Sequence, residues 1–198
     1  MPAFLYAEDE LCQALGEAVV RYASPETRLV SNRTNGIERL RANMPKYLDL
    51  STKAPVLIVV DLDRVACPLA LLDRWGLGGA KPPGFAFRIA VRECESWLMA
   101  DAQGVADHFG LAAVHLPDDP DSEEDPKRSF LAVLRRRSRG RRELIREMLP
   151  TPGASSPVGL GYNAHLRAFI ETSWSAERAA RRSGSLRRAV ERVRTLLS

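Results

Sequence analysis

The sequence predicts an α/β protein built on a mainly parallel sheet flanked by helices. Two observations carry this. Strand-type and helix-type patterns alternate four times before residue 110, and residues 55–61 form an unbroken apolar run rich in β-branched side chains. Parallel neighbours need a crossover between them, so a parallel sheet is written as alternating strands and helices. An unbroken apolar strand is one covered on both faces.

The elements follow in order. Residues 3–7 read as a short buried strand. Over residues 8–22, Leu11, Leu15, Ala18, Val19 and Tyr22 recur at helical spacing, and Ser24-Pro25 stops the helix. Residues 27–30 suit a weak strand. Ile37, Leu40, Met44 and Leu48 predict one helix over 37–48. After the strand at 55–61, residues 67–75 fit a helix and the Gly/Pro-rich stretch 76–84 a loop. Phe85, Phe87, Ile89 and Val91 then alternate with Ala86, Arg88, Ala90 and Arg92, which is the period of a strand. A helix runs through Trp97, Leu98 and Met99, and a second starts near Asp101 and ends before Gly110. Residues 117–126 form an acidic loop. Beyond it the chain reads as helices at 127–149, 162–171 and 185–197, with a Pro/Gly/Ser linker at 151–161.

Composition narrows the classes. A length of 198 residues predicts one domain with a small appendage, and a hydrophobic fraction of 45% supports a real core. No stretch approaches the roughly 20 apolar residues of a membrane span. The N-terminus meets acid at Glu8 without a basic segment, unlike a signal peptide, so a cytoplasmic location is expected. Cys12, Cys67 and Cys94 are odd in number and widely spaced, which predicts buried free thiols rather than a zinc ribbon or a disulfide framework. The pattern Gly-x-x-x-x-Gly-Lys is absent, so no phosphate-binding loop is expected. Charge is divided: residues 1–126 hold 12 Lys/Arg against 20 Asp/Glu, and residues 127–198 hold 17 against 5. The division sets an α/β core at 1–126 apart from a basic helical extension at 127–198, and a basic half permits contact with a polyanion.

Three predicted strands end in acid, at Glu8, at Asp61-Leu62-Asp63 and at Glu93-Cys94-Glu95. Ligands of open parallel sheets sit at those carboxyl ends. Residues i and i+2 of a strand point the same way, so Asp61 and Asp63 are expected to converge. Converging carboxylates call for a cation or a proton, and an oxygen-only ligand set suits Mg²⁺ or Mn²⁺. Capping of the following helices is the competing explanation for each acid taken singly.

The segments at 7–11, 55–68, 88–101 and 125–127, with Gly161-Tyr162-Asn163 and residues 183–186, resemble the Toprim fold of topoisomerases, primases and overcoming-lysogenisation-type nucleases. More narrowly, they resemble a family of small Toprim-like bacterial proteins, often encoded beside an ATPase in phage-defence loci. The resemblance covers nearly the whole chain, and its most specific block is residues 93–101. It implies a metal-dependent nuclease subunit acting on DNA or RNA, with an ATPase as partner, or a non-catalytic subunit of the same fold. It implies that Glu8 is a general acid/base or metal ligand and that Asp61 and Asp63 carry Mg²⁺ or Mn²⁺. Glu95 would be a further ligand, with Glu93 as its substitute. Lys127 resembles a basic group that offsets charge at phosphorus. The chain departs from the pattern at Asp9, where many Toprim proteins have Gly.

Arg135, Arg136, Arg137, Arg139, Arg141 and Arg142 fall within eight positions and, with Arg88, are the candidate nucleic-acid contacts through phosphate. A solvated helix face explains the run equally well. His108, His115 and His165 lack metal spacing, and Trp97, followed by Leu98 and Met99, reads as core.

Overall fold

Strand β1 (Ala3–Ala7) pairs in parallel with β2 (Leu29–Arg33) on one side and β3 (Val56–Asp61) on the other, and β3 pairs in parallel with β4 (Phe85–Ala90). The sheet is therefore four-stranded, all parallel, in the order β2-β1-β3-β4. The structure is a computed structural model and describes residues 1–34, 36–138 and 141–198. The α/β parallel architecture with helices on both faces and a helical C-terminal part is as the sequence predicts, and it is consistent with a Rossmann-like sheet of the Toprim type.

Helix α1 (Glu10–Ala23) connects β1 to β2. The connection from β2 back to β3 carries α2 (Ile37–Ala42) and α3 (Met44–Leu50), and α4 (Pro68–Arg74) connects β3 to β4. Alternation along each strand splits the core in two. Leu5, Ala7, Leu57, Val59, Ala86 and Ala90 lie on the side of the sheet that α1 covers. Val56, Ile58, Val60, Leu62, Phe85 and Phe87 face Leu40, Met44, Tyr47 and Leu71. Burial on both faces is why residues 55–61 read as unbroken apolar sequence. Gly16 lets α1 lie close on the sheet, since a Cβ there would stand 2.9 Å from both Leu5 methyls.

After β4 come α5 (Glu95–Ala100), α6 (Ala102–Phe109), α7 (Pro126–Arg137), α8 (Arg142–Met148), α9 (Tyr162–Thr172), α10 (Ala176–Ala180) and α11 (Gly184–Leu197). The helices beyond residue 126 contribute Phe130, Leu134, Met148, Leu166, Phe169 and Val193 to the α1 side of the sheet, so they share one core with it. Two carboxylates pin them, Asp101 fully buried and Asp121 half-buried. Asp101 accepts from Arg178 Nε at 2.6 Å and Nη2 at 2.8 Å. Asp121 accepts from Ser183, and from both the backbone N–H and the hydroxyl of Ser185. Trp97 is fully buried, donating from Nε1 to Ser185 Oγ, which bears out its reading as core.

Several element boundaries differ from the sequence reading. The single helix expected at 37–48 is two, because Pro45 lacks an N–H and sterically opposes the carbonyl four residues back; Asn43 is the joint. The helix expected at 127–149 breaks after Arg137, where the Ser138 hydroxyl turns to the Phe109 carbonyl. The second strand lies at Leu29–Arg33, further along than expected, and α10 has no counterpart in the sequence reading. No described helix is long and apolar enough to cross a membrane.

Candidate metal centre

The chain leaves β1 for one side of the sheet and returns on the other to form β3. The carboxyl ends of β1 and β3 therefore flank the switch point where ligands of such sheets bind. Glu8 is one residue past β1 and 8% exposed, and Asp61 closes β3 and is 7% exposed. The two are joined directly: Glu8 Oε1 accepts the Asp61 backbone N–H at 3.1 Å. Asp61 Oδ1 in turn accepts the Cys94 N–H at 2.8 Å. The thiol of Cys12, in the first turn of α1, lies 3.4 Å from Asp61 Oδ1 and 3.9 Å from Glu8 Oε1. Asp9 caps α1 by accepting the Cys12 N–H at 2.8 Å, so the helix begins two residues later than the spacing predicts.

Glu95 opens α5 and is 1% exposed. Its Oε1 accepts the Tyr162 hydroxyl at 2.8 Å and stands 3.5 Å from Lys127 Nζ. Its Oε2 is buried with no hydrogen-bond partner among the described residues, the kind of orphan that a cation or a proton satisfies. Glu93 holds Lys127 from the other side, 3.5 Å from Nζ, and accepts its backbone N–H at 3.0 Å. Glu93 and Glu95 thus both flank Lys127, but only Glu95 is enclosed.

Asp63 does not sit in the strand as the i, i+2 argument assumes. β3 ends at Asp61, and Asp63 occupies a turn at φ 51°, with its N–H bonded to the Arg92 carbonyl. Asp tolerates this left-handed conformation better than most residues. Asp63 still reaches the site: a cleft of about 410 Å³ is lined by Glu8, Asp9, Asp61, Asp63, Lys127 and Asn163.

The electrostatics follow from crowding four carboxylates against a wall of low polarity. Burial pushes Glu8 up to about 7, against the Asp61 N–H and with the charges of Asp9 and Asp63. Burial, then Glu8 and Glu95, raise Asp61 well above the ordinary aspartate value. Burial also raises Glu95, although Lys127 and the Tyr162 hydroxyl oppose it. Asp63 is raised by burial and by Glu93. Burial works against the Lys127 ammonium, but Glu95, Glu93, Asp61 and Asp9 outweigh it and its pKa lies above the ordinary lysine value. A site in which acids resist ionisation is one that a cation relieves.

A cluster of Asp, Glu and Cys side chains here can hold a metal ion. Glu8, Asp9, Cys12 and Asp61 offer ligand atoms within 4.8 Å of one another, as do Cys12, Asp61 and Cys94. Glu8 and Asp61 belong to these tight groups; Asp63 and Glu95 flank them. The thiols are what sequence reasoning missed. Cys12 and Cys94 are buried as expected, with Sγ atoms 3.2 Å apart, whereas Cys67 is exposed at the start of α4. Their signal was position: Cys12 is one helical turn past Glu8, and Cys94 lies between Glu93 and Glu95.

Among the candidate nucleic-acid contacts, Arg135, Arg136 and Arg137 are exposed at the end of α7, and Arg141 and Arg142 are exposed at the start of α8. Arg139 lies outside the described residues. Arg135 and Arg136 line a second cleft of about 520 Å³ together with Arg128, Glu93 and Lys127, so Lys127 belongs to both clefts. Arg88 is elsewhere. Its Nε is buried without a partner among the described residues, and burial, Arg192 and Arg188 push its pKa below the ordinary arginine value. It does not line the acidic cleft. His165 pairs with Glu147 at 2.7 Å, tying α9 to α8.

Compared with family models, curated proteins and solved structures, the chain has no significant match.

Proposed function

We propose that this chain is a Mg²⁺- or Mn²⁺-dependent nucleic-acid phosphodiesterase of the Toprim-like type, the nuclease subunit of a bacterial defence system with an ATPase partner. The observation that carries the reading is the set of buried carboxylates at the sheet's switch point, with the Glu95 Oε2 orphan and Lys127 beside an open cleft. Glu8 and Asp61 would hold the ion, with Asp63 and Glu95 on its flanks; these oxygen donors fit a hard cation. When bound, such an ion supplies charge for a phosphate oxygen and acidifies water. Where Asp61 holds the ion without it, Glu8, whose carboxyl burial raises to about 7, is instead suited to take and return a proton. Lys127 carries a firm positive charge toward the same cleft, where a phosphate gathers negative charge. Arg128, Arg135 and Arg136 continue that positive charge into the adjoining cleft, as a path for a nucleic-acid backbone.

The test is cleavage of DNA and RNA by the purified chain, alone and with its ATPase, in Mg²⁺ or Mn²⁺. The expected result is metal-dependent cutting that Asp61→Ala lowers by about 100-fold or more, the loss typical of a metal or charge-stabilising group. An Asp61→Ala protein that cuts as well as wild type would sink the proposal.

One observation favours a second reading, a non-catalytic subunit that binds nucleic acid or an ATPase. Glu8 Oε1 and Asp61 Oδ1 already accept backbone N–H groups of the protein itself. Calorimetry showing no heat of Mg²⁺ or Mn²⁺ binding would support that reading over the enzyme.

A further inference from the structure

The acidic site has an open side and a closed side. The open side is the cleft. The closed side is walled by Cys12 and Cys94, both fully buried, with Sγ atoms 3.2 Å apart. Asp61 Oδ1 lies 3.4 Å from the Cys12 sulfur and accepts the Cys94 N–H. Three elements that are distant in sequence deliver these groups: the first turn of α1, the end of β3, and the residue before α5. Each is anchored by backbone hydrogen bonds. The Cys12 N–H is held by Asp9, and the Cys94 carbonyl accepts the Leu98 N–H at 3.2 Å.

We propose that Cys12, Cys94 and Asp61 form a site for a thiophilic divalent cation of the Zn²⁺ class, with Glu8 as the fourth donor. Zinc bonds of about 2.3 Å to sulfur and about 2.0–2.2 Å to oxygen set tetrahedral edges of roughly 3.8 Å between sulfurs and roughly 3.5 Å between sulfur and oxygen. The Cys12 sulfur to Asp61 oxygen distance already fits, and the sulfurs need to part by only about half an ångström on that geometry. Glu8 Oε1, 3.9 Å from the Cys12 sulfur, is within reach of the remaining corner. Two thiolates select Zn²⁺ over Mg²⁺, because sulfur is a soft donor and Mg²⁺ a hard acceptor. Binding is ligand substitution without oxidation. Two S–H bonds break, two Zn–S and two Zn–O bonds form in place of the ion's bonds to water, and those waters, the two thiol protons and any proton on the Asp61 and Glu8 carboxyls leave to solvent. An apolar pair would fill the same space without turning towards a carboxylate, so packing alone does not account for this placement.

Asp61 and Glu8 also belong to the proposed Mg²⁺/Mn²⁺ site, so occupancy by zinc excludes the hard ion there; this consequence alone rests on the function proposed above.

The experiment uses the full chain, reduced with a phosphine and freed of metal, titrated with Co²⁺ and then Zn²⁺. The expected result is a thiolate-to-cobalt charge-transfer band that saturates at one equivalent and is bleached by Zn²⁺. Cys12→Ser and Cys94→Ser should each abolish the band, and Cys67→Ser should leave it. Absence of the band in wild type, or its survival in both serine variants, overturns the proposal. Zinc-edge X-ray absorption on the wild-type protein needs no variant to fold: two sulfur scatterers support the site, and a shell of oxygen and nitrogen alone refutes it. A failure of the nuclease reading leaves these spectra unchanged. A failure of the zinc site leaves metal-dependent cleavage unchanged.

Discussion

Glu8→Gln should stabilise the metal-free protein at pH 8 and remove the Glu8 share of its dependence on pH. The Glu8 carboxyl is displaced from 4.5 to about 7, first because it is buried, with Asp9 and Asp63 adding to the effect and the Asp61 N–H opposing it. Folding therefore favours the protonated form. That contribution is full below about pH 4.5 and is lost as pH rises through about 7. At about 1.4 kcal/mol per pH unit of displacement, the wild-type protein gives up roughly 3 kcal/mol between pH 4.5 and pH 8. For a chain of this size that is about 6–12 °C in melting temperature. The amide of Gln is neutral throughout and keeps an Oε1 able to accept the Asp61 N–H, so it avoids the loss. Urea midpoints at pH 5, 6, 7 and 8 in a chelator measure the effect for both proteins. Wild type should weaken steadily, and the variant should lose the Glu8 share of that slope while keeping what Asp61, Glu95 and Asp63 contribute, whose displacements have the same sign. A wild-type protein of constant stability from pH 5 to 8, or a variant with the full wild-type slope, would refute the reasoning.

Two further outcomes test the scaffold. Arg178→Ala leaves the fully buried Asp101 without its bidentate partner and should cost about 2–4 kcal/mol in urea unfolding, with Mn²⁺ binding by the folded protein unchanged. Gly84→Ala would put a Cβ 2.3 Å from the Ser51 carbonyl oxygen, a backbone atom that cannot step aside; a loss of about 2 kcal/mol or more is expected, and a neutral result would mean the loop before β4 shifts freely.

The element order and the parallel sheet were legible because hydrophobic period and cap residues are local properties. The run at 55–61 announced a strand covered on both sides, and Gly110 announced the end of α6, where it sits at φ 67°. Acid at three strand ends was also legible, since parallel strands necessarily present their carboxyl ends together. The boundaries that failed depended on single contacts or single residues: Pro45 within an otherwise helical pattern, and the Ser138 hydroxyl reaching the Phe109 carbonyl from 29 positions away.

By itself, then, the sequence determined at which end of the sheet the acids gather, because parallel strands present their carboxyl ends together. Only the tertiary structure decided what surrounds them. Asp63 reaches the cleft from a left-handed turn, not from the strand. Glu95 is the enclosed member of its pair because Tyr162 and Lys127 close over it. Cys12 and Cys94, 82 positions apart, meet behind Asp61 because α1 and α5 pack on the same face of the sheet. No local pattern encodes that meeting; it follows from which face each crossover covers.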